Sequence, residues 1–176
     1  MTADQIAAWL GSFMDIELTL IDASAVALTS INDRPAACTV GFSQVDTGLS
    51  LDDDPATAVR CEIVAAGVVD KHTLGRAVVA AAREIETLGV PAQPGVLLEG
   101  VLGGLGADVR HGWLREPELF DRGTPLNREP GQLTLLLELV GLTDEEFDIA
   151  RDQGLDVLSR RLRRRGTDVG QWNRGA

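Results

Sequence analysis

The 176-residue chain has a formal net charge of −11, from 27 acidic side chains against 16 lysine and arginine residues. A field of this sign argues against DNA, RNA and anionic membranes as main partners, because binding to phosphate needs positive charge. The hydrophobic fraction of 44% is that of a globular protein, and no apolar run approaches the roughly 20 residues that span a bilayer. The first residues carry acids and no basic n-region, so we expect a cytoplasmic protein whose partner is itself basic.

The first third of the chain predicts one helix followed by strands. Apolar residues recur at three-to-four spacing over 6–13, and short runs rich in valine, isoleucine and threonine follow at 17–22, 36–43 and 58–68. The spacers between these runs are too short for crossover helices, so we expect antiparallel neighbours.

The clearest helical periodicity lies over residues 70–89. Thr73 is placed to cap its start, and Gly89 followed by a proline is typical of its end. Two further strands are predicted, one at 96–101 and one that begins the run 112–120.

Residues 133–141 are apolar almost throughout, interrupted only by Glu138. Such a run is typical of a strand buried on both faces, so it is the predicted central strand. Thr143 and Glu146 then have the spacing of a capping box, which starts a short helix. A second helix follows, and the arginines crowded at 160–165 are explained by its dipole, with a nucleic-acid site as the alternative.

The chain has few residues that could take part in catalysis, metal binding or nucleotide binding. Cys38 and Cys61 lie in apolar strand-like runs and are expected to be buried free thiols. Two histidines and two cysteines at long spacing match no metal-ligand pattern. The stretch 103–106 lacks both the third glycine of a dinucleotide fingerprint and the Lys-Ser/Thr of a P-loop, so a flexible turn is expected. We therefore expect no catalytic residue, no metal and no cofactor.

The run 133–162 resembles the C-terminal half of the suppressor of fused-like family. The shared features are a strand, a small turn, Thr143 with the paired acids that follow it, a short helix, Gly154, and a helix of leucines and charges. The apolar strand at 113–120, closed by a proline, is similar too, and the resemblance covers about half the chain. The chain departs from the family in its glycine-rich insert at 103–106 and in having almost no lysine.

The resemblance implies an α+β fold: a mostly antiparallel β-sheet of about five to seven strands with helices packed on it. We expect one such domain over residues 1–166 and a C-terminal tail over 167–176. The resemblance also implies a protein without enzymatic activity. Animal members bind and restrain a transcription factor, whereas many bacterial relatives look like immunity proteins that neutralise secreted toxins, and an arginine-rich, lysine-poor chain suits a GC-rich bacterial genome.

The expected function is therefore a cytosolic immunity protein that binds a cognate toxin in a one-to-one complex and blocks its active-site cleft. The expected toxin hydrolyses NAD, and the narrower resemblance is to the immunity factor paired with the mycobacterial necrotizing toxin. Loops held by a rigid sheet are the usual seats of binding. The residues expected to contact the partner are an electrostatic patch and a slim projection: Asp52, Asp53 and Asp54, and Gly103, Gly104, Leu105 and Gly106.

Two other classes of function stay open. The chain could be an adaptor or chaperone-like protein of a secretion locus, which binds a partner without inhibiting it. It could also be a small hydrolase whose site gathers residues distant in sequence, and the candidates are His72, Glu99, Asp108 and His111.

Overall fold

A computed structural model describes residues 1–175 as one eight-stranded sheet with helices on both faces. The elements in chain order are α1 (Ala3–Gly11), β1 (Glu17–Ile21), β2 (Ser24–Ile31), β3 (Arg34–Thr39), a 3₁₀ turn (Phe42–Gln44), β4 (Ala58–Ala66), α2 (Lys71–Leu88), β5 (Leu97–Leu98), β6 (His111–Arg115), β7 (Leu126–Glu129), β8 (Gln132–Leu142), α3 (Asp144–Gln153) and α4 (Leu155–Arg165). The strand order is β1-β2-β3-β4-β8-β6-β5, and β7 also pairs with β8. Among residues 1–175 only β4 and β8 pair in parallel, so the predicted α+β fold with a mostly antiparallel sheet is confirmed. The sheet has eight strands, where about five to seven were expected.

The predicted central strand is confirmed as β8. It pairs with β4 on one side and with β6 and β7 on the other, and most of its residues are buried. Glu138, the polar interruption in its sequence, is buried as well and forms an ion pair with Arg115 at 2.9 Å. The single charge in the apolar run is therefore explained by a partner on the neighbouring strand β6.

The two faces of the sheet carry different helices. The long helix α2 packs its apolar side, including Leu74, Val78 and Ile85, against one face. Ile6 and Leu10 of α1 pack on the other face, and α3 with α4 covers the part of that face near the carboxyl end of β8. A hydrophobic core therefore lies on each side of the sheet.

The cap of α2 differs from the prediction. Asp70, not Thr73, is the N-cap residue, and its carboxylate accepts a hydrogen bond from the Thr73 N–H at 2.9 Å. Thr73 lies inside the first turn, because an N-cap side chain bonds to the amide two or three residues after it. The capping box of Thr143 and Glu146 at the start of α3 is present as predicted.

Two strands were missed by the sequence patterns, and two were clearly overextended. The missed strands are β2 and β7. Only Leu97–Leu98 of the predicted run 96–101 is a strand, and β3 ends at Thr39, four residues before the end of the predicted run 36–43. The chain turns away after β5 at Gly100, which has a φ of 69°. Strand β2 lies between two tight hairpins, whose two-residue turns at 22–23 and 32–33 have positive φ throughout, as type I′ turns require.

The expected C-terminal tail, residues 167–176, is described up to residue 175, and this part packs against the rest of the fold. The indole of Trp172 is 1% exposed and belongs to the core under α2. The backbone carbonyl of Gly170 accepts a hydrogen bond from the Val68 N–H at 2.7 Å. Within residues 1–175 no helix is long and apolar enough to cross a membrane.

Candidate functional site

The two groups of residues expected to bind a partner lie at opposite ends of β8. The loop that holds Asp52, Asp53 and Asp54 leads into β4, whose first residue pairs with the first residue of β8. The stretch 103–106 precedes β6, whose first residue pairs with the last residue of β8. The rise of a strand is roughly 3.3 Å per residue, so the 11 residues of β8 separate the two groups by roughly 30 Å. The structure does not bring them together into one compact site.

Residues 103–106, here called the glycine-rich loop, form two successive turns anchored by leucines. The Gly103 N–H donates to the Gly100 carbonyl at 3.0 Å, and the Leu105 N–H donates to the Leu102 carbonyl at 3.1 Å. Leu102 is buried and Leu105 is half-buried, both against the core under α2. The three glycines of the loop are exposed, so the loop presents bare backbone on an apolar base.

The tip of the glycine-rich loop is Gly104, which is surrounded by open space. A Cβ atom built on Gly104 would meet no heavy atom within 4 Å, and its φ is not in the left-handed region. Gly106 is equally open but has a φ of +75°, which favours glycine. A side chain introduced at Gly104 would therefore project outward without disturbing the fold.

A cleft of about 690 Å³ opens beside the glycine-rich loop, between the start of α3, the end of α4 and the C-terminal segment. Acidic side chains outnumber basic ones on its walls. The charged lining residues are Asp108, Asp144, Glu145, Glu146 and Asp168 against Arg110, Arg165 and Arg174. We call this feature the acidic cleft.

An ion pair between Arg174 and Glu146 lies at the base of the acidic cleft. The guanidinium donates to both carboxylate oxygens of Glu146, at 3.0 and 2.7 Å, and to the Gly141 carbonyl at 2.6 Å. The same carboxylate accepts from the Thr143 N–H at 2.9 Å, which completes the capping box. One nearly buried carboxylate therefore joins the start of α3 to the C-terminal segment. The capping pattern predicted its local role, and Arg174 was missed because its partner lies far away in sequence.

His111 links the base of the glycine-rich loop to α3. Its Nδ1 accepts from the Gly100 N–H at 3.0 Å, so its Nε2 carries the proton that is donated to Asp144 Oδ1, also at 3.0 Å. The ring stacks on Phe147 with a centroid distance of 4.1 Å. Both nitrogens have partners, and the ring is held as a structural link.

The four residues of the hydrolase alternative are not assembled into a site. His72 and Glu99 are exposed, and Asp108 Oδ2 accepts from the Gly175 N–H at 3.1 Å. None of the hydrogen bonds and ion pairs found within residues 1–175 joins two of the four. In the same part of the chain, no group of three or more histidine, cysteine, aspartate or glutamate side chains is arranged to hold a metal ion.

The loop at the other end of β8 is an acidic turn beside an apolar groove. Asp52, Asp53 and Asp54 are exposed, and Asp54 fixes the turn by accepting from the Thr57 hydroxyl at 2.5 Å. A groove of about 440 Å³ next to Asp52 is lined mostly by apolar side chains, including Leu126. This end therefore combines negative charge with apolar surface.

A buried carboxylate that no sequence motif predicts holds the chain after β3. Glu62 is 0% exposed and accepts from the Thr39 hydroxyl at 2.5 Å and from the N–H groups of Gly41, Phe42 and Ser43 at 3.0 to 3.2 Å. Burial raises the pKa of this carboxyl, and the hydrogen bonds oppose that rise. The available signal was a lone glutamate inside an apolar strand pattern, as for Glu138.

Cys38 and Cys61 are buried and free, as predicted. Burial, with the nearby charge of Glu62 as a smaller cause, raises the pKa of both thiols. A thiol with a raised pKa is a poor nucleophile, so these two cysteines fill the core.

Comparison with known proteins shows the fold. No family model matches the chain, and no curated protein matches it. A solved suppressor of fused homologue from Neisseria gonorrhoeae superposes with a TM-score of 0.70 at 12% identity, covering 99% of this chain and 95% of that one. A chain of a Sufu–Fu complex gives a TM-score of 0.63 at 10% identity, covering 99% of this chain and 89% of that one. Drosophila Suppressor of Fused gives 0.59 at 11% identity, covering 96% of this chain but only 44% of the fly protein. The predicted suppressor of fused-like fold is confirmed.

Proposed function

We propose that the chain is an immunity protein, which docks on a cognate toxin and blocks its active-site cleft. The observation that carries this proposal is the glycine-rich loop beside the acidic cleft. Its tip, Gly104, is exposed, and Leu102 and Leu105 anchor its base to the core. A narrow and anchored projection can enter a concave site at little entropic cost, because its base is already ordered.

The charge of the chain supports a basic partner. A net charge of −11 would steer the chain toward a positive surface and raise the association rate. A toxin that binds NAD has such a surface, because it must hold the phosphates of its substrate. An NAD-hydrolysing toxin, bound one-to-one in the cytosol of the producing cell, is the partner that we propose.

The comparisons support a protein-binding role in general. One of the similar structures is a complex of suppressor of fused with Fu, so this fold binds another protein in at least that case. The two ends of β8 cannot both be the centre of one standard interface, which covers about 800 Å² per partner. We place the blocking contact at the carboxyl end, on Gly103, Gly104, Leu105 and Gly106, and treat Asp52, Asp53 and Asp54 as a peripheral source of steering charge.

The test is co-expression with the product of the adjacent reading frame. The chain should form a stable complex with that product and protect the host cell from it. An NAD-consumption assay of the partner, with and without the chain, separates an inhibitor from an adaptor that binds without inhibiting. Absence of both complex and protection would refute the immunity role.

A matched pair of substitutions identifies the end that docks. Gly104→Trp puts a bulky side chain at the tip of the glycine-rich loop, where there is space for it, and should abolish protection without loss of stability. Ala56→Trp puts the same side chain on an exposed turn at the other end of β8 and should preserve protection. The opposite result would move the interface to the acidic turn.

A further inference from the structure

Strand β1 is a free edge of the sheet. Among residues 1–175 it pairs only with β2, and its pairing is continuous from Glu17 to Ile21, without a bulge or a proline. The other free edges are shorter, with two residues in β5 and four in β7. Proteins usually protect edges with charged side chains, above all lysine, or with proline or bulges, since an open edge is a template for an added strand. Strand β1 contains one charged residue, Glu17, and neither lysine, proline nor a bulge.

The turn that closes the β1–β2 hairpin decides which backbone groups face outward. It is a two-residue turn at 22–23 with φ values of 49° and 65°, so Ile21 and Ser24 form a hydrogen-bonded pair. Bonded and non-bonded pairs alternate along an antiparallel ladder from that point. The N–H and C=O groups of Leu18 and Leu20 therefore point away from β2, toward solvent.

The same two residues expose their side chains. Leu18 is 55% and Leu20 is 73% exposed, which makes them two of the few large apolar side chains left at the surface. Both lie on one face of β1, opposite Ala27 and Ala25 of β2. A strand added here would satisfy four backbone groups and cover two leucines at once.

The charges around β1 indicate the kind of strand that fits. Asp15 and Glu17 are exposed at the start of β1. Asp22 lies in the turn at its end and forms an ion pair with Arg83 of α2 at 3.8 Å. Three acids against one arginine give a negative edge. A second copy of the chain would bring the same acids and a further net charge of −11, so self-pairing is disfavoured.

We propose that β1 is a strand-addition site for an extended, basic segment of another protein. The segment runs antiparallel to β1, with apolar side chains opposite Leu18 and Leu20 and a lysine or arginine opposite Glu17. This site goes beyond the proposed function. Strands β2, β3 and β4 separate it from β8, so the two surfaces can be tested independently.

The test uses a short synthetic peptide that alternates valine with lysine. On binding, the amide protons of Leu18 and Leu20 should become protected from hydrogen exchange, as measured by NMR. A peptide with glutamate in place of lysine should bind at least about tenfold more weakly at low salt, and the difference should shrink as salt rises. The lysine peptide methylated at its valine amides, which would face β1, should not bind.

A double variant, Leu18→Lys with Leu20→Lys, should lose peptide binding and keep its stability, since both side chains are exposed. Leu88→Lys is the matched control, because Leu88 is 53% exposed at the end of α2, and it should bind the peptide normally. Gly104→Trp should also bind the peptide, which separates this site from the proposed inhibitory surface.

Three results would overturn the proposal. The first is that the valine–lysine peptide leaves both leucine amides unprotected. The second is that the glutamate peptide binds equally well. The third is that these amides become protected in the free chain as its concentration rises, which would show that a second copy occupies the edge.

Discussion

Replacing Trp172 with alanine should cost the fold about 4 kcal/mol. An indole of this size buries roughly 150–250 Å², which at about 25 cal/mol per Å² corresponds to about 4–6 kcal/mol of transfer free energy. Measured costs for Trp→Ala in cores are about 3–5 kcal/mol, because the cavity collapses only in part. Trp172 is 1% exposed, so nearly the full amount applies. The total stability of a domain is about 5–15 kcal/mol, so the variant would be marginal.

The measurement is urea unfolding followed by far-UV circular dichroism, because the substitution also removes a fluorophore. Trp172→Phe should cost clearly less than Trp172→Ala, since most of the apolar contact remains. A chain that ends at Gly166 should fail to fold, because it loses this side chain together with the pair between Arg174 and Glu146.

A double-mutant cycle tests the contact itself. A Cβ atom on Gly67 would lie 2.7 Å from Trp172 Nε1, so Gly67→Ala alone should cost about 1–3 kcal/mol by overpacking. With alanine at position 172 the clash with the indole is gone, and the double variant should be less destabilised than the sum by about 1 kcal/mol. A cost below about 1 kcal/mol for Trp172→Ala, together with additive behaviour, would refute the assignment of this segment to the core.

Three other substitutions test the remaining contacts by the same unfolding assay. Thr143→Ala should cost about 1 kcal/mol and Thr143→Ser almost nothing, since only alanine removes the cap; equal costs would contradict the capping role. Glu138→Ala should cost about 3 kcal/mol because it leaves the half-buried Arg115 without its main partner, whereas Glu118→Ala, which removes the exposed partner of that arginine, should cost under about 1 kcal/mol. The hydrogen bond from Arg34 lowers the pKa of Asp168 in the folded chain. The pair therefore stabilises the fold fully above the ordinary carboxyl pKa of about 3.9, and this stabilisation is lost as the pH falls through the lowered pKa of the folded state. Because the pair is exposed, Asp168→Asn should be less stable than the native chain by under about 1 kcal/mol at neutral pH. Near pH 2 the two chains should be equally stable. A stability difference that persists in acid would show another cause.

Local patterns determined most of the elements of this protein. The helical period over 70–89, the apolar run of β8 and the capping box at Thr143 each depend on residues close together in sequence, and the structure has all three. The burial of Cys38 and Cys61 follows from the apolar runs around them. Such features need no knowledge of distant contacts, because periodicity and capping act within one or two turns.

Tertiary structure alone decided the pairings between distant parts of the chain. The parallel pairing of β4 with β8 and the strand β2 between two hairpins were not evident from apolar runs. The contact of Arg174 with Glu146 joins residues that no local spacing relates. The candidate site depends on the same kind of information, since both groups of contact residues were chosen from local composition. Their placement at opposite ends of β8 follows from strand register, which is set by pairing across the sheet and not by the residues within either loop.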